Sequence, residues 1–233
     1  MTEKNKESND LSSPLGGQGA VLVYCYDAYC GWCYGFSPVI KKIATDYKDK
    51  LNVEVLSGGM IFDEEPRHIS AMAGYIGEAY KNVEKLTGVK FGDAWLWHIK
   101  HPEESDWFPE STTPAIALCI FKEHHPDKAV SIAADLQYAL HYEGRDLTDG
   151  EAFRHLLHQY NIPEGDFYKK LHSDEYREKA YYEFALVKQL QVAGFPCVLL
   201  QVSDSKFYLL SNGYTDYDTL KARIDKALAE VVS

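Results

Sequence analysis

The chain has no apolar run approaching the eighteen or more residues that a membrane-spanning helix requires. It also lacks basic excess. Against 35 Asp and Glu stand 24 Lys and Arg, a formal net charge of −11, and no basic stripe is visible. Phosphate backbones and anionic bilayers are held by clustered Lys and Arg, so neither nucleic acid nor a membrane surface is an expected partner. The first nineteen residues are polar and contain no apolar segment of signal-peptide length. They read as a disordered leader, on a chain expected to stay in the cytoplasm. Cysteine is scarce and odd in number, at Cys25, Cys30, Cys33, Cys119 and Cys197. Five scattered thiols do not make a secreted disulfide framework. Internal repeats are absent too.

What is present suits a packed globule: 45% apolar residues and 13% aromatic, with 17 tyrosines. At 233 residues, one compact body with an inserted lobe is the natural arrangement. Ala20-Val21-Leu22-Val23-Tyr24-Cys25-Tyr26 is a continuous apolar run of strand length and reads as a buried central strand. Asp27-Ala28-Tyr29 leaves it, and a helix follows with Cys30 near its first turn. Val39, Ile40, Ile43 and Tyr47 supply the buried stripe of that helix, and Lys41, Lys42 and Lys48 its wet face. Residues 51–56 alternate as a second strand, ended by Ser57-Gly58-Gly59.

From about Arg67 the texture becomes helical, over 69–85, 114–124, 128–141, 149–160, 166–171 and 173–191. Asp149 and Ser173 are expected N-caps. Two strands return at 197–202 and 206–210 around an Asp204-Ser205 turn, and residues 216–232 close the chain as an amphipathic helix. The order is β-α-β, a helical insert, then β-β-α.

Cys30-Gly31-Trp32-Cys33 carries the chemistry. A thiol exchanges with a disulfide only as thiolate, and the positive end of a helix favours that form. Cys33 lies about one turn on, within reach of the first sulfur. Two metal readings stand beside this one. A Cys-x-x-Cys can be a zinc half-site, although His98, His101, His124 and His125 form no knuckle. The spacing Cys25-x4-Cys30-x2-Cys33 also matches three ligands of a plant-type iron–sulfur loop, but Cys25 sits in an apolar strand and a helix follows. Context favours redox chemistry. Gly194-Phe195-Pro196 precedes a strand, where proline marks a strand start or a turn, and a cis peptide is one option.

Together these residues resemble the DsbA-like branch of the thioredoxin superfamily. The match rests on the strand entering Cys30-Gly31-Trp32-Cys33, on Pro38 five residues after the second cysteine, on the helical insert, and on Gly194-Phe195-Pro196 before a hairpin. The stretch from Tyr26 to Pro38, and Glu143-Gly144-Arg145-Asp146-Leu147, are similar to a cytoplasmic protein-disulfide isomerase group near the FrnE-type proteins. The resemblance implies an α/β, thioredoxin-like fold from residues 20–66 and 192–233, with residues 67–191 as a large all-helical insertion. It implies a thiol–disulfide oxidoreductase or isomerase, with Cys30 the exposed nucleophile and Cys33 the buried resolving thiol. Pro196 becomes a cis-proline beside them, and Trp32, Phe195 and Pro196 bind substrate by strand-like pairing. The substrate is a disulfide-containing protein or small thiol. No metal or cofactor is implied beyond the redox disulfide itself, with glutathione or another thiol as co-substrate.

The sequence departs from that pattern twice. An acidic residue is usual six positions before the first cysteine, where Tyr24 stands; Asp27, in the loop, is the alternative proton acceptor. Cys197 follows the proline and reads more simply as a small buried strand residue. Trp95, Trp97, Trp107 and Phe108 read as core or seam of the insert before substrate surface, Tyr34 and Phe36 as packing, Cys119 as structural, and Asp63-Glu64-Glu65 as a solvated loop. A second enzyme class shares the architecture, the kappa-type glutathione transferases and 2-hydroxychromene-2-carboxylate isomerases. They usually carry Ser at the nucleophile position, and the intact cysteine pair argues against them.

Overall fold

The computed structural model describes residues 20–62 and 66–232; the leader at 1–19 and the loop at 63–65 lie outside the described residues. Four strands form one mixed sheet in the order β2-β1-β3-β4. Strand β1 (Val21–Tyr26) is buried along its whole length, as its unbroken apolar sequence requires. It runs parallel to β2 (Asn52–Ser57) and antiparallel to β3 (Cys197–Ser203), with Cys25 opposite Cys197. Strand β4 (Lys206–Asn212) completes the hairpin at the edge.

Alternation along β1 sends its side chains to two cores. Leu22, Tyr24 and Tyr26 join the large cluster with α1 (Gly31–Asp46) and α9 (Tyr217–Val232). Val21, Val23 and Cys25 face the smaller one, with Val187 of the later helix α8. On α1, Ile40 and Ile43 are buried and Lys41 and Lys42 exposed, as their spacing predicts, and just past its end Tyr47 is buried and Lys48 exposed; Val39 is only half-buried.

Between β2 and β3 lie α2 (Ser70–Thr87), α3 (Asp93–Lys100), α4 (Thr112–His124), α5 (Ala129–His141), α6 (Arg154–Gln159), α7 (Glu164–Leu171) and α8 (Asp174–Gln189). Asp149 and Ser173 both cap as expected, accepting from the Glu151 and Tyr176 amides. Three details differ from the sequence expectation. Helix α3 was not anticipated: its eight residues span barely two turns, too few for a periodic signal. The helix expected at 149–160 divides into a 3-10 turn over Gly150–Phe153 and then α6. Helix α8 stops at Gln189, and Gln191 adopts a left-handed φ of 56°.

A buried charge cluster ties the insert to the sheet. Lys122 on α4 donates to the Val55 carbonyl at 2.8 Å and pairs with Glu54 of β2 and Glu183 of α8. Glu183 in turn accepts from the Ser57 amide at 2.8 Å. Removing one partner of such a pair strands the other charge away from water. Lys122→Met is therefore expected to lower unfolding stability by about 3 kcal/mol, read as a reduced urea midpoint with an unchanged slope. Adding Glu183→Leu to the same chain should recover only part of that loss, because the Ser57 amide then loses its acceptor.

Candidate active site

Three residues leave β1 before the chain enters α1, and Cys30 is the N-cap. Its φ of −79° and ψ of 105° are extended, and its Sγ accepts the Cys33 N–H at 3.2 Å. A sulfur thus takes the capping place usually filled by a Ser or Asp oxygen. An amide aimed at it, with the helix dipole behind, suits a negative sulfur. Cys33 stands on the first turn, wholly buried, and both thiols are free. Burial, then the neighbouring Cys30 sulfur, push the Cys33 thiol well above its ordinary value; the Asp27 charge adds to this. Cys30 is not the openly exposed residue that the resemblance implies. It is 5% exposed, and it lines a cavity whose other walls include side chains from α2 and α3.

The loop that presents Cys30 is pinned from several sides. Tyr29 N–H and the Ser111 hydroxyl each donate to Asp27 Oδ1 at 3.0 Å, and Met60 N–H donates to Oδ2 at 2.7 Å. The Asp27 carbonyl accepts from Cys30 N–H and from Gln137 Nε2, both at 3.1 Å, and the Ala28 carbonyl accepts from His141 Nε2 at 3.1 Å. Gln137 also accepts from Ser37 of α1 at 2.8 Å. Desolvation raises the Asp27 carboxyl above its ordinary value, against the pull of its three donors. Burial pushes His141 down to about 3, so its imidazole is neutral. Gly92 allows this arrangement: a Cβ there would fall 1.7 Å from the Tyr142 carbonyl oxygen, so glycine lets α3 close onto the end of α5.

A cavity of about 380 Å³ opens beside Cys30. Trp32 and Phe195 line it with Cys30, so three of the residues singled out by sequence meet at one place. Phe195 lies against Gly58, where a Cβ would sit 2.0 Å from its ring. Pro196 follows a cis peptide bond; it is buried and does not itself line the cavity. Trp95 and Trp107 are buried and face this space, whereas Trp97 and Phe108 are exposed. Sequence reasoning did not single out Gln137 or His141, nor Met72, Ile76 and Phe91 on the cavity wall. Gln137 and His141 had a weak signal: two polar residues at i and i+4 in a mostly apolar helix, a spacing that Ser131 and Asp135 share.

The profile of the DSBA-like thioredoxin domain matches residues 21–225. The chain belongs to that family. Among solved structures it is similar to a protein named provisionally as a protein disulfide isomerase from Nitrosomonas europaea, at 24% identity and a TM-score of 0.80 over 91% of this chain and 99% of the other. It is also similar to the cytosolic disulfide reductase DsbM from Pseudomonas aeruginosa, at 24% identity and 0.71 over 90% and 98%, a protein also solved with GSH. A 2-hydroxychromene-2-carboxylate isomerase aligns at 13% identity and 0.59 over 91% and 96%. No curated protein sequence matched. Among the described residues no helix is long and apolar enough to cross a membrane.

As a DSBA-like chain, this one handles the strand position differently. Tyr24 is buried there as a neutral phenol, held protonated by desolvation and by the nearby Cys33 and Cys30. The buried carboxyl near the pair is Asp27, which arrives from the loop. Cys197 lies across from Cys25 in the smaller core, on the sheet face away from Cys30 and Cys33, and burial pushes its thiol up to about 11. The three-cysteine iron–sulfur spacing is therefore not assembled in space. Among the described residues no group of three or more His, Cys, Asp or Glu is placed to hold a metal.

Asp27 gives a testable pH dependence. Its folded-state pKa lies above the ordinary 3.8, so the folded chain takes up the proton first as pH falls. The charged form costs stability above that raised folded-state pKa, and the cost is relieved as pH drops through it toward 3.8. Paired urea unfolding at pH 7.5 and in the acid window should show the wild type gaining on Asp27→Asn as pH falls. A difference that stays constant would remove this account of Asp27.

Proposed function

We propose that this chain is a thiol–disulfide oxidoreductase working through Cys30 and Cys33. The observation that carries the reading is the asymmetry of the pair: one sulfur caps a helix and borders a cavity, and the other is sealed one turn behind it. The Cys30 thiolate attacks one sulfur of a substrate disulfide, forming a mixed disulfide and releasing one thiolate, which takes up a proton. Cys33 then loses its proton and attacks the Cys30 sulfur, expelling the second substrate thiol. Two electrons leave the dithiol, the substrate disulfide becomes two thiols, and an internal Cys30–Cys33 disulfide forms. Two molecules of glutathione or another thiol restore the dithiol and leave as a disulfide. Run on a mispaired protein, the first step alone supports isomerisation.

Trp32 and Phe195 line the substrate approach in this reading, and Pro196 holds the Phe195 loop. DsbM, named as a cytosolic disulfide reductase, supports a reducing role in the cytoplasm and glutathione as the returning thiol. The likeness to the 2-hydroxychromene-2-carboxylate isomerase is one of fold. Isomerisation does not call for a second thiol behind the first, and this chain keeps one.

Trapping distinguishes the two roles. Cys33→Ser should accumulate a covalent mixed disulfide with insulin or glutathione, seen as a mass increase that dithiothreitol removes. Cys30→Ser should trap nothing and lose insulin reduction by at least a hundredfold. Equal trapping by both variants, or equal turnover, would overturn the assignment.

A further inference from the structure

The cavity beside Cys30 is unusual company for a thiol that would handle glutathione. Its walls come from α1, α2, α3, α5 and the Phe195 loop, with Ile76, Phe91, Trp95 and Phe195 among the side chains facing it. Among the described residues that line it there is no Asp, Glu, Lys or Arg. His141 is on the wall too, but its Nε2–H is held by the Ala28 carbonyl and its ring packs between Tyr34, Phe91 and Trp95. Burial keeps that ring uncharged. Cys30, on the wall of this cavity, is 5% exposed as a residue.

Resting on the dithiol reading above, we propose that this cavity receives one half of a small, uncharged, aromatic or branched-aliphatic disulfide, and that the chain prefers such disulfides to glutathione disulfide. Thiolate attack runs along the S–S bond, so the sulfur that joins Cys30 brings its carbon substituent to the cavity. An apolar group there leaves water for an apolar wall. Glutathione brings carboxylates and an ammonium, and the described lining offers no counter-charge to replace their water. A volume of about 380 Å³ has room for a ring and its linker. A cysteine 5% exposed on a cavity wall favours a compact reactant over a protein loop.

The chemistry balances without a further reductant when the reduced protein is the limiting reagent. One disulfide R–S–S–R′ takes two electrons from Cys30 and Cys33, giving RSH, R′SH and the internal bridge.

The test is single-turnover oxidation of the reduced full chain, followed by mass and by tryptophan fluorescence. Four oxidants are compared: benzyl 2-hydroxyethyl disulfide, its 4-carboxybenzyl analogue, glutathione disulfide and insulin. The benzyl probe should react ten- to a hundredfold faster than the carboxybenzyl analogue, the worth of burying a ring without a charge. It should also outpace glutathione disulfide. Ala79→Trp, which fills the cavity from a half-buried position on α2, should bring the benzyl-to-glutathione ratio toward one. Met72→Trp, two turns away on the same wall, does the same should the first variant misfold.

Equal rates for the benzyl and carboxybenzyl probes, or a faster reaction with glutathione disulfide or with insulin, overturn the proposal. Benzyl 2-hydroxyethyl sulfide, a thioether that cannot exchange, separates the two readings. Quenching of tryptophan fluorescence that is lost in Ala79→Trp supports the cavity assignment even if no oxidant bridges the pair, an outcome that sinks only the dithiol chemistry. No binding of the thioether, with normal insulin reduction, sinks the cavity assignment alone.

Discussion

The position of Cys30 depends on a buried polar lock around the loop from β1 to α1. Asp27 and Ala28 leave a buried strand and stay buried, so their carbonyls and the Asp27 carboxylate must find donors inside the protein. They find them on elements distant in sequence: Ser111 before α4, Gln137 and His141 on α5, and the backbone at Met60. Each such bond adds only about 1 kcal/mol net, but leaving its acceptor bare would cost more. The Asp27 carboxylate and the Asp27 and Ala28 carbonyls are all satisfied, although His141 Nδ1 is left without a partner, and these bonds fix where the helix begins. A cap position set this firmly lets a sulfur do the work of an oxygen.

The helical insert consequently has two duties at the same end of the sheet. Helix α5 holds the loop, and α2 and α3 wall the space above the sulfur. Phe91 and Trp95, whose rings stack at 4.9 Å, stand on either side of the Gly92 contact with α5, so the wall and the lock are built from adjacent residues. The far side of the insert is anchored separately, by Lys122 and Glu183 against β2. A charge pair at one end and a hydrogen-bonded lock around Asp27 at the other leave the cavity wall itself without Asp, Glu, Lys or Arg among the described residues.

Much of this was legible in the sequence where the signal is local. A buried strand, a helix after Cys30, a hairpin around Asp204-Ser205 and a closing amphipathic helix each announce themselves by period or turn chemistry within a dozen residues. The Cys30–Cys33 spacing needs only a helix to acquire meaning. Whatever depends on residues meeting across the fold was not legible. Helix α3 is too short to show a period, and the cavity that Cys30 shares with α2 and α3 exists only once those helices are in place. Tyr24 in place of an acid was visible, but not that Asp27 would be buried with three donors. Gln137 and His141 carried only a weak hint, a one-turn polar spacing on α5 that Ser131 and Asp135 share, without saying which carbonyls they would serve.

The order of events in the proposed reaction follows from what surrounds Cys33. Its thiol is kept protonated by burial, next by the Cys30 sulfur, and then by the Asp27 charge. While Cys30 is a free thiolate, a second negative sulfur one turn away is strongly disfavoured. Once Cys30 enters a mixed disulfide its charge is gone, and the contribution of that sulfur to holding the Cys33 proton goes with it. Attack on the mixed disulfide is thus favoured by the same step that creates it, and the buried thiol stays inert toward anything else that enters the cavity.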